Sequence, residues 1–140
     1  MQSLVLNNSP EKGEFASILQ MSSQPRLYPK KNEVLVKVHY STITIDDINV
    51  AEETELGGIS MRKSPSQNRP IVPGIEMSGI VEQVGKNVKQ FKAGDSVFGT
   101  SGFPFPQYGT WSEYCCVKQD LLLKKPDYLT LQQAAACAGS

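Results

Sequence analysis

The sequence predicts a mainly β fold with small helices (α+β), arranged as a partly open β-barrel. Its clearest strand, over residues 32–40, alternates valines with bulkier or polar residues, which is the period of a strand with one face on a core. Glycine beside Asn or Asp marks turns at 85–87 and 94–95, between short apolar segments. Helix signals are confined to short stretches, so short strands joined by tight turns dominate the prediction.

Composition indicates one soluble domain of 140 residues. Fourteen basic and fourteen acidic residues cancel, and the basic residues do not cluster with aromatics, so a nucleic-acid partner is not expected. No apolar run approaches the roughly 20 residues that span a bilayer, and the first fifteen residues resemble neither a signal peptide nor a transit peptide. We therefore expect a cytoplasmic protein without a membrane partner.

The first third of the chain contains three predicted strands. We place a strand at 4–6, a weaker one over 15–21 and the clear one over 32–40. In the last of these, the valines are expected on the core, and Leu35, Lys37 and His39 on a mixed outer face. His39, the only histidine, is interpreted as an ordinary strand residue.

A short helix is predicted from Thr44 to about Ala51. Thr44 and Asp47 have the spacing of a capping box, in which a hydroxyl and a carboxylate each satisfy a free backbone N–H at the helix start. Ile45 and Ile48 are expected to face the core. The neighbouring acidic residues are interpreted as a solvated helix start that complements the helix dipole.

Loops flank the central strands. Residues 53–70, rich in glycine, proline and polar side chains, predict a long loop that is either a functional lid or disordered. Strands are predicted on either side of the two turns, from Ile75 to Val84 and at Val97–Phe98. Between 99 and 107, Phe103 and Phe105 either line a substrate pocket or are buried beneath the loop.

The last third predicts two strands and a helix. The strand over 109–117 includes adjacent Cys115 and Cys116, whose side chains point to opposite faces and are interpreted as reduced, space-filling thiols. A short strand follows at 121–123. Thr130 with Gln133 fits a second capping box, which opens an alanine-rich helix over 130–140.

Six segments together resemble the catalytic domain of the medium-chain dehydrogenases/reductases: NEVLVKVHYSTIT, PGIE, SGIVEQVGKNV, FKAGDSVFG, GTWSEY and LTLQQAAACAG. They follow the family's order and cover residues 32–140. The resemblance implies that residues 1–140 form a GroES-like domain. It also implies that the helix over 130–140 leads toward a Rossmann cofactor domain, which this chain lacks.

The resemblance also indicates a branch of that family. Zinc-dependent alcohol dehydrogenases have a cysteine where this chain has Thr44, and a histidine where it has Ile75. An isoleucine offers zinc no donor. Residues 99–107 contain no cysteine where those enzymes place the four ligands of a structural zinc. The chain is therefore similar to the zinc-free quinone oxidoreductases, and no metal is expected.

Such enzymes pass a hydride from NADPH to a quinone or an α,β-unsaturated carbonyl. The resemblance implies that residues 41–49 face the nicotinamide and the substrate. Candidate cofactor- or substrate-binding residues are Thr44, Asp47, Asn49 and Glu76. Thr44, which stands where quinone oxidoreductases have an asparagine, is also the candidate catalytic residue. NADPH is expected to be held mainly by the missing domain.

Two readings remain open at the level of sequence. In the first, the chain is the catalytic domain of an NAD(P)H-dependent oxidoreductase, dimeric when complete, and the 140 residues alone are inactive. In the second, the chain is a non-enzymatic GroES-like module for protein contacts, since a fold does not fix a function. A dedicated enoyl-thioester reductase is less favoured, because residues 49–56 lack the tyrosine found there in the mitochondrial type.

Overall fold

The computed structural model describes residues 1–8, 10–52, 70–102 and 108–139. Their elements, in chain order, are β1 (Gln2–Val5), α1 (Phe15–Ile18), β2 (Gln20–Ser23), β3 (Glu33–Ser41), α2 (Ile45–Ala51), β4 (Glu76–Val84), β5 (Ser96–Thr100), β6 (Tyr114–Lys118), β7 (Leu122–Lys124) and α3 (Leu131–Ala136). A single 3-10 turn, Gln119–Leu121, precedes β7. The predicted mainly β fold with small helices is confirmed.

The strands form two antiparallel sheets. The larger has the order β6-β3-β4-β5-β7, and β1 pairs with β2 in the smaller one. In the described part of the chain no ladder joins β6 to β7, so the barrel is partly open, as predicted. The β3–β4 register shifts between Leu35 and Val36 and again between Val38 and Tyr40. Such irregularities bend a strand, and the second lies where β3 ends.

The main core lies on the valine face of β3. Val34 and Val36 are fully buried there, as predicted, and pack with apolar residues of β4, β5, β6 and the 85–95 loop. Leu35, expected on the outer face, is also fully buried, against Leu27 and Cys116. The outer-face prediction was wrong for Leu35, because the segment that carries Leu27 covers this face of the sheet.

A second apolar cluster explains the main secondary-structure error. Residues 15–18, predicted as part of a strand, form the helical turn α1. A helical turn places Phe15 and Ile18 on the same side, where they join Leu6 and Ala51. The Phe15 ring lies edge-on to Trp111, with 5.7 Å between ring centroids. Burial of this aromatic pair therefore outweighs the weak strand pattern.

The helix α2 has the predicted extent and its predicted capping box. Ile48 packs in the second apolar cluster, as expected. Ile45, also expected in the core, is 66% exposed instead. Ile45 is the first residue of α2 and lies before the part of the helix, with Ile48 and Ala51, that packs in this cluster.

The starts of the last two strands also differ from the prediction. The backbone N–H groups of residues 110–111 bond to a loop, since Thr110 N donates to Gly74 O and Trp111 N to Pro73 O, both at 3.0 Å, while Trp111 O accepts from Leu4 N of β1 at 2.9 Å. The strand therefore begins only at Tyr114. The 3-10 turn moves the start of the last strand to Leu122.

The last helix is shorter than predicted. It begins with the predicted capping box, in which Gln133 N donates to the Thr130 hydroxyl at 3.1 Å, but it ends at Ala136 instead of reaching residue 140. The chain then turns so that Gly139 lies directly against the Glu76 carboxylate, where an added Cβ has no room. Contact with β4 thus replaces the last helical turn.

Some predictions lie outside the described residues. These are the long loop, except for Pro70, and the roles of Phe103 and Phe105. Within the described ranges, no helix is both long enough and apolar enough to cross a membrane.

Candidate functional site

One end of the large sheet brings three parts of the chain together: the end of β3, the start of β4 and the start of α2. Because β3 and β4 are antiparallel, the last residue of β3, Ser41, lies opposite Met77 near the start of β4. The polar residues that gather here are called the polar end: Ser41, Thr42, Thr44, Asp47, Glu76 and Thr110.

Glu76 is the hydrogen-bonding centre of the polar end. Its Oε2 accepts a hydrogen bond from Thr42 Oγ1 at 2.8 Å. Its backbone carbonyl accepts from Ser41 Oγ at 2.8 Å and from Thr110 Oγ1 at 3.2 Å, and these two hydroxyl oxygens are 2.7 Å apart. Trp111 Nε1 donates to the Thr42 carbonyl at 3.0 Å. Three segments of the chain are thereby held together.

The Thr44 hydroxyl is oriented by Asp47. Asp47 Oδ2 accepts from Thr44 N at 2.8 Å and from Thr44 Oγ1 at 3.1 Å. Since a hydroxyl has one proton, this bond leaves Thr44 with acceptor capacity toward a ligand. The geometry therefore fits a ligand N–H or O–H group at Thr44 better than a ligand carbonyl.

Asp47 itself is a buried acid with an unsatisfied atom. Its side chain is 4% exposed, and its Oδ1 is buried with no hydrogen-bond partner among the described residues. Burial raises the pKa of Asp47 above its ordinary value, while the bonds from Thr44 lower it and the Glu76 and Asp46 carboxylates raise it further. Buried acids of this kind are more frequent at functional sites than elsewhere.

The segment before Glu76 is rigidly held. Gly74 adopts φ +104°, a conformation that side chains disfavour, and its α-carbon faces Thr110 and Trp111 with no space for a Cβ. Ser101 Oγ donates to Gly74 O at 3.0 Å, and Ser101 N to Ile75 O at 2.7 Å. Ile75 is thus buried beside the polar end and contributes only an aliphatic side chain.

The structure brings together three of the four predicted binding residues, Thr44, Asp47 and Glu76. Asn49 lies half-buried on α2, two residues beyond Asp47. His39 is exposed on β3. Among the described residues, no group of three or more His, Cys, Asp or Glu side chains is arranged to hold a metal ion.

Sequence reasoning missed the hydroxyl groups that fix Glu76. Ser41 and Thr42 directly follow the best-predicted strand, and Thr110 lies in the GTWSEY segment. Adjacent hydroxyl residues at a strand end were the available signal. It did not identify Glu76 as their partner, because the pairing of Ser41 and Thr42 with Glu76 depends on the register of β3 with β4, and that of Thr110 on the bonds of residues 110–111 to residues 73–74.

Comparison with known proteins identifies the family of this chain. Residues 30–127 match the family model described as "Alcohol dehydrogenase GroES-like domain". The chain belongs to this family, within the medium-chain dehydrogenase/reductase superfamily, as its segments suggested.

Two curated relatives show the branch. The chain is 33% identical over 132 residues to the human protein "NAD(P)H oxidoreductase RTN4IP1, mitochondrial", covering 89% of this chain and 32% of that protein. It is also 33% identical over 108 residues to the pig protein "Quinone oxidoreductase", covering 77% and 29% respectively. The chain thus spans about a third of the length of these relatives.

Solved structures agree. The quinone oxidoreductase of Coxiella burnetii superposes with a TM-score of 0.82 at 25% identity, over 99% of this chain and 41% of that one. The Escherichia coli quinone oxidoreductase, solved in complex with NADPH, gives 0.76 at 25% identity, over 97% and 36%. The chain therefore matches 41% and 36% of the length of these two enzymes.

Proposed function

We propose that this chain is the substrate-binding, catalytic domain of a zinc-independent, NADPH-dependent oxidoreductase that reduces quinones or α,β-unsaturated carbonyls. One observation carries the proposal: the polar end brings the hydrogen-bonded pair Thr44–Asp47 close to Glu76, whose carboxylate is bonded by Thr42 and acts electrostatically on Asp47, in a chain whose relatives include quinone oxidoreductases. The buried acid and the exposed apolar residues beside it are features of a ligand site.

NADPH would supply a hydride, and a proton would complete the reduction of the substrate. The nicotinamide ring of NADPH fits the chemistry of the polar end. Thr44 keeps a lone pair that can accept an N–H of the nicotinamide carboxamide, and exposed Ile43 and Ile45 offer apolar surface to a flat ring.

The phosphates of NADPH are less well matched. The charges that act on Asp47 in the described part of the chain both come from carboxylates, Glu76 and Asp46. These groups would repel phosphate. We therefore assign the binding of the NADPH phosphates to a separate nucleotide-binding domain. The 140 residues alone should then be inactive.

Zinc independence is part of the proposal. It is supported by the chemistry of Thr44 and Ile75, which stand where the zinc-dependent branch has cysteine and histidine. Chain purified from zinc-supplemented medium should contain no stoichiometric zinc by elemental analysis. One tightly held zinc per chain would contradict this part.

Trp111 offers a direct binding test. It is the only tryptophan, and its indole donates to the backbone of Thr42 in the polar end. Duroquinone, whose ring is fully methylated and does not alkylate thiols, should quench Trp111 fluorescence in a saturable way. Acrylamide, a collisional quencher, is the control and should give a linear response.

Other outcomes would overturn the proposal. Linear quenching by duroquinone would show collision without a site. NADPH oxidation by the 140-residue chain above background would contradict the assignment of the phosphates to another domain. A ring-sized assembly on size-exclusion chromatography, combined with no quinone binding, would favour the protein-interaction module instead.

A further inference from the structure

The charge at the polar end is of one sign. Glu76 is partly exposed, Asp46 is half-buried, and both act electrostatically on Asp47. The two ion pairs found among the described residues, Arg26–Glu82 and Lys124–Asp95, involve none of these three groups. In the described part of the chain, the carboxylates of the polar end therefore have no cationic partner.

The Glu76 carboxylate is also held in position. Thr42 fixes Oε2 by a hydrogen bond of 2.8 Å, and the backbone at Gly139 lies against Oε1. A side chain restrained on both oxygens cannot readily swing aside when a like charge approaches. Its repulsion is therefore a fixed property of the site.

The surface beside these carboxylates is apolar. Ile43 is 77% exposed and Ile45 is 66% exposed, one on each side of half-buried Thr44. Isoleucine gains from contact with an apolar ligand and offers nothing to an ionic one. Two exposed isoleucines that flank Thr44 at the polar end thus favour the binding of an apolar ligand.

We propose that this site selects uncharged, apolar quinones and enones and rejects their anionic counterparts. The inference rests on the proposed function and adds the determinant of substrate class. Attraction comes from Ile43 and Ile45, and rejection comes from Glu76 and Asp46. Specificity of this kind combines a favourable contact with a built-in repulsion.

The test compares two quinones that differ in charge. Duroquinone and an analogue carrying a carboxylate-bearing chain in place of one methyl group are titrated against Trp111 fluorescence of the 140-residue chain. We expect the anionic quinone to bind at least about tenfold more weakly. The difference in affinity between the two quinones should decrease when the salt concentration rises from about 0.01 M to about 1 M, because the screening length falls from roughly 30 Å to roughly 3 Å.

Single substitutions show which side chains cause the difference in affinity between the two quinones. Glu76→Gln keeps an acceptor for Thr42 but removes the charge, so the difference in affinity between the two quinones should shrink about threefold or more. Asp46→Asn should act in the same direction. Asp120→Asn, on the exposed 3-10 turn, is the matched control and should leave this difference unchanged. Ile45→Ser should weaken duroquinone binding specifically.

The outcomes separate the two claims. Saturable binding of both quinones with equal affinity would overturn the charge selection and leave the proposed function standing. The charge selection would also be overturned if Glu76→Gln and Asp46→Asn both left the difference in affinity between the two quinones unchanged. Absence of saturable binding for either quinone would overturn the proposed function and this inference with it.

Discussion

The interior of the large sheet and its polar end are built on opposite principles. In the interior, side chains such as Val34, Val36 and Val97 are fully buried among apolar neighbours. At the polar end, hydroxyls and carboxylates replace them, and one buried oxygen of Asp47 has no hydrogen-bond partner within the part of the chain that the structure describes. The two regions share β3 and β4, so the change occurs within a few residues along each strand.

This difference separates stability from function. Apolar burial stabilises a fold in proportion to the area removed from water. A buried polar atom without a partner costs free energy instead, and an isolated buried acid costs more. The polar end is therefore stabilised by the interior, and its unfavourable groups are those expected to meet a ligand.

Thiol reactivity should show the largest contrast. Cys115 and Cys116 are buried in β6, and burial raises the pKa of both thiols, that of Cys116 to about 12. Because the thiolate is the reactive form, iodoacetamide should alkylate only exposed Cys137 in the native protein and all three cysteines in guanidinium. Mass spectrometry counts the adducts; native modification of β6 would contradict the described packing.

Core truncation should give the largest change in stability. Phe91→Ala removes a ring that is 6% exposed in the main core, and we expect a loss of about 3–5 kcal/mol in the free energy of unfolding. Tyr128→Ala, at a position that is 84% exposed, is the control and should change it by about 0.5 kcal/mol or less. Urea denaturation measures both, and equal effects would contradict the assignment of the core.

Removing a hydrogen bond at the polar end should lower the free energy of unfolding less than core truncation does, and should also weaken quinone binding. Thr42→Val deletes the hydroxyl that fixes Glu76, with an expected loss of about 0.5–1.5 kcal/mol in the free energy of unfolding. Duroquinone affinity should fall, because the carboxylate is no longer restrained. Thr42→Ser keeps the hydroxyl and should restore both. Unchanged affinity in Thr42→Val would separate Glu76 from the ligand site.

The smallest effect is expected in the pH dependence of stability. The pKa of Asp47 in the folded protein lies above 3.8, chiefly because burial disfavours its charge. The folded state therefore holds this proton more tightly than the unfolded state. The resulting stabilisation is complete below pH 3.8 and is lost as the pH rises through the folded pKa.

Asp47→Asn isolates that contribution. The asparagine keeps an acceptor for Thr44 and does not titrate, so the unfolding free energy of the wild type minus that of the variant should decrease as pH rises from acid to neutral. Denaturation curves at a series of pH values give the difference. Asp127→Asn, at an exposed position, is the control. A difference that increases with pH would contradict the raised pKa.

The interior could be predicted from the sequence because it depends on a short-range rule. The period of two located the buried valines of β3, and glycine turns located β4 and β5. The same rule failed at Leu35, whose burial depends on a distant segment, and at Phe15, whose helical turn is stabilised by Trp111, nearly a hundred residues away. Long-range packing decided both.

The polar end was predictable only in part. The capping box of Thr44 and Asp47 is local, so its spacing was visible. Glu76 was identified through the family resemblance, and its partners Ser41, Thr42 and Thr110 were not identified. Their contacts join residues 34 or 35 positions apart. The β3–β4 register brings Ser41 and Thr42 to Glu76, and the bonds of residues 110–111 to residues 73–74 bring Thr110 there.

Mapping quinone binding onto individual residues tests the central claim most directly. Amide spectra of the isotopically labelled 140-residue chain, recorded during titration with duroquinone, should show saturable shifts centred on Thr44, Asp47 and Glu76, with the amides of Val117 and Phe91 unmoved. Shifts centred on any other face of the fold, or none at saturating quinone, would contradict the assignment of the polar end as the substrate site.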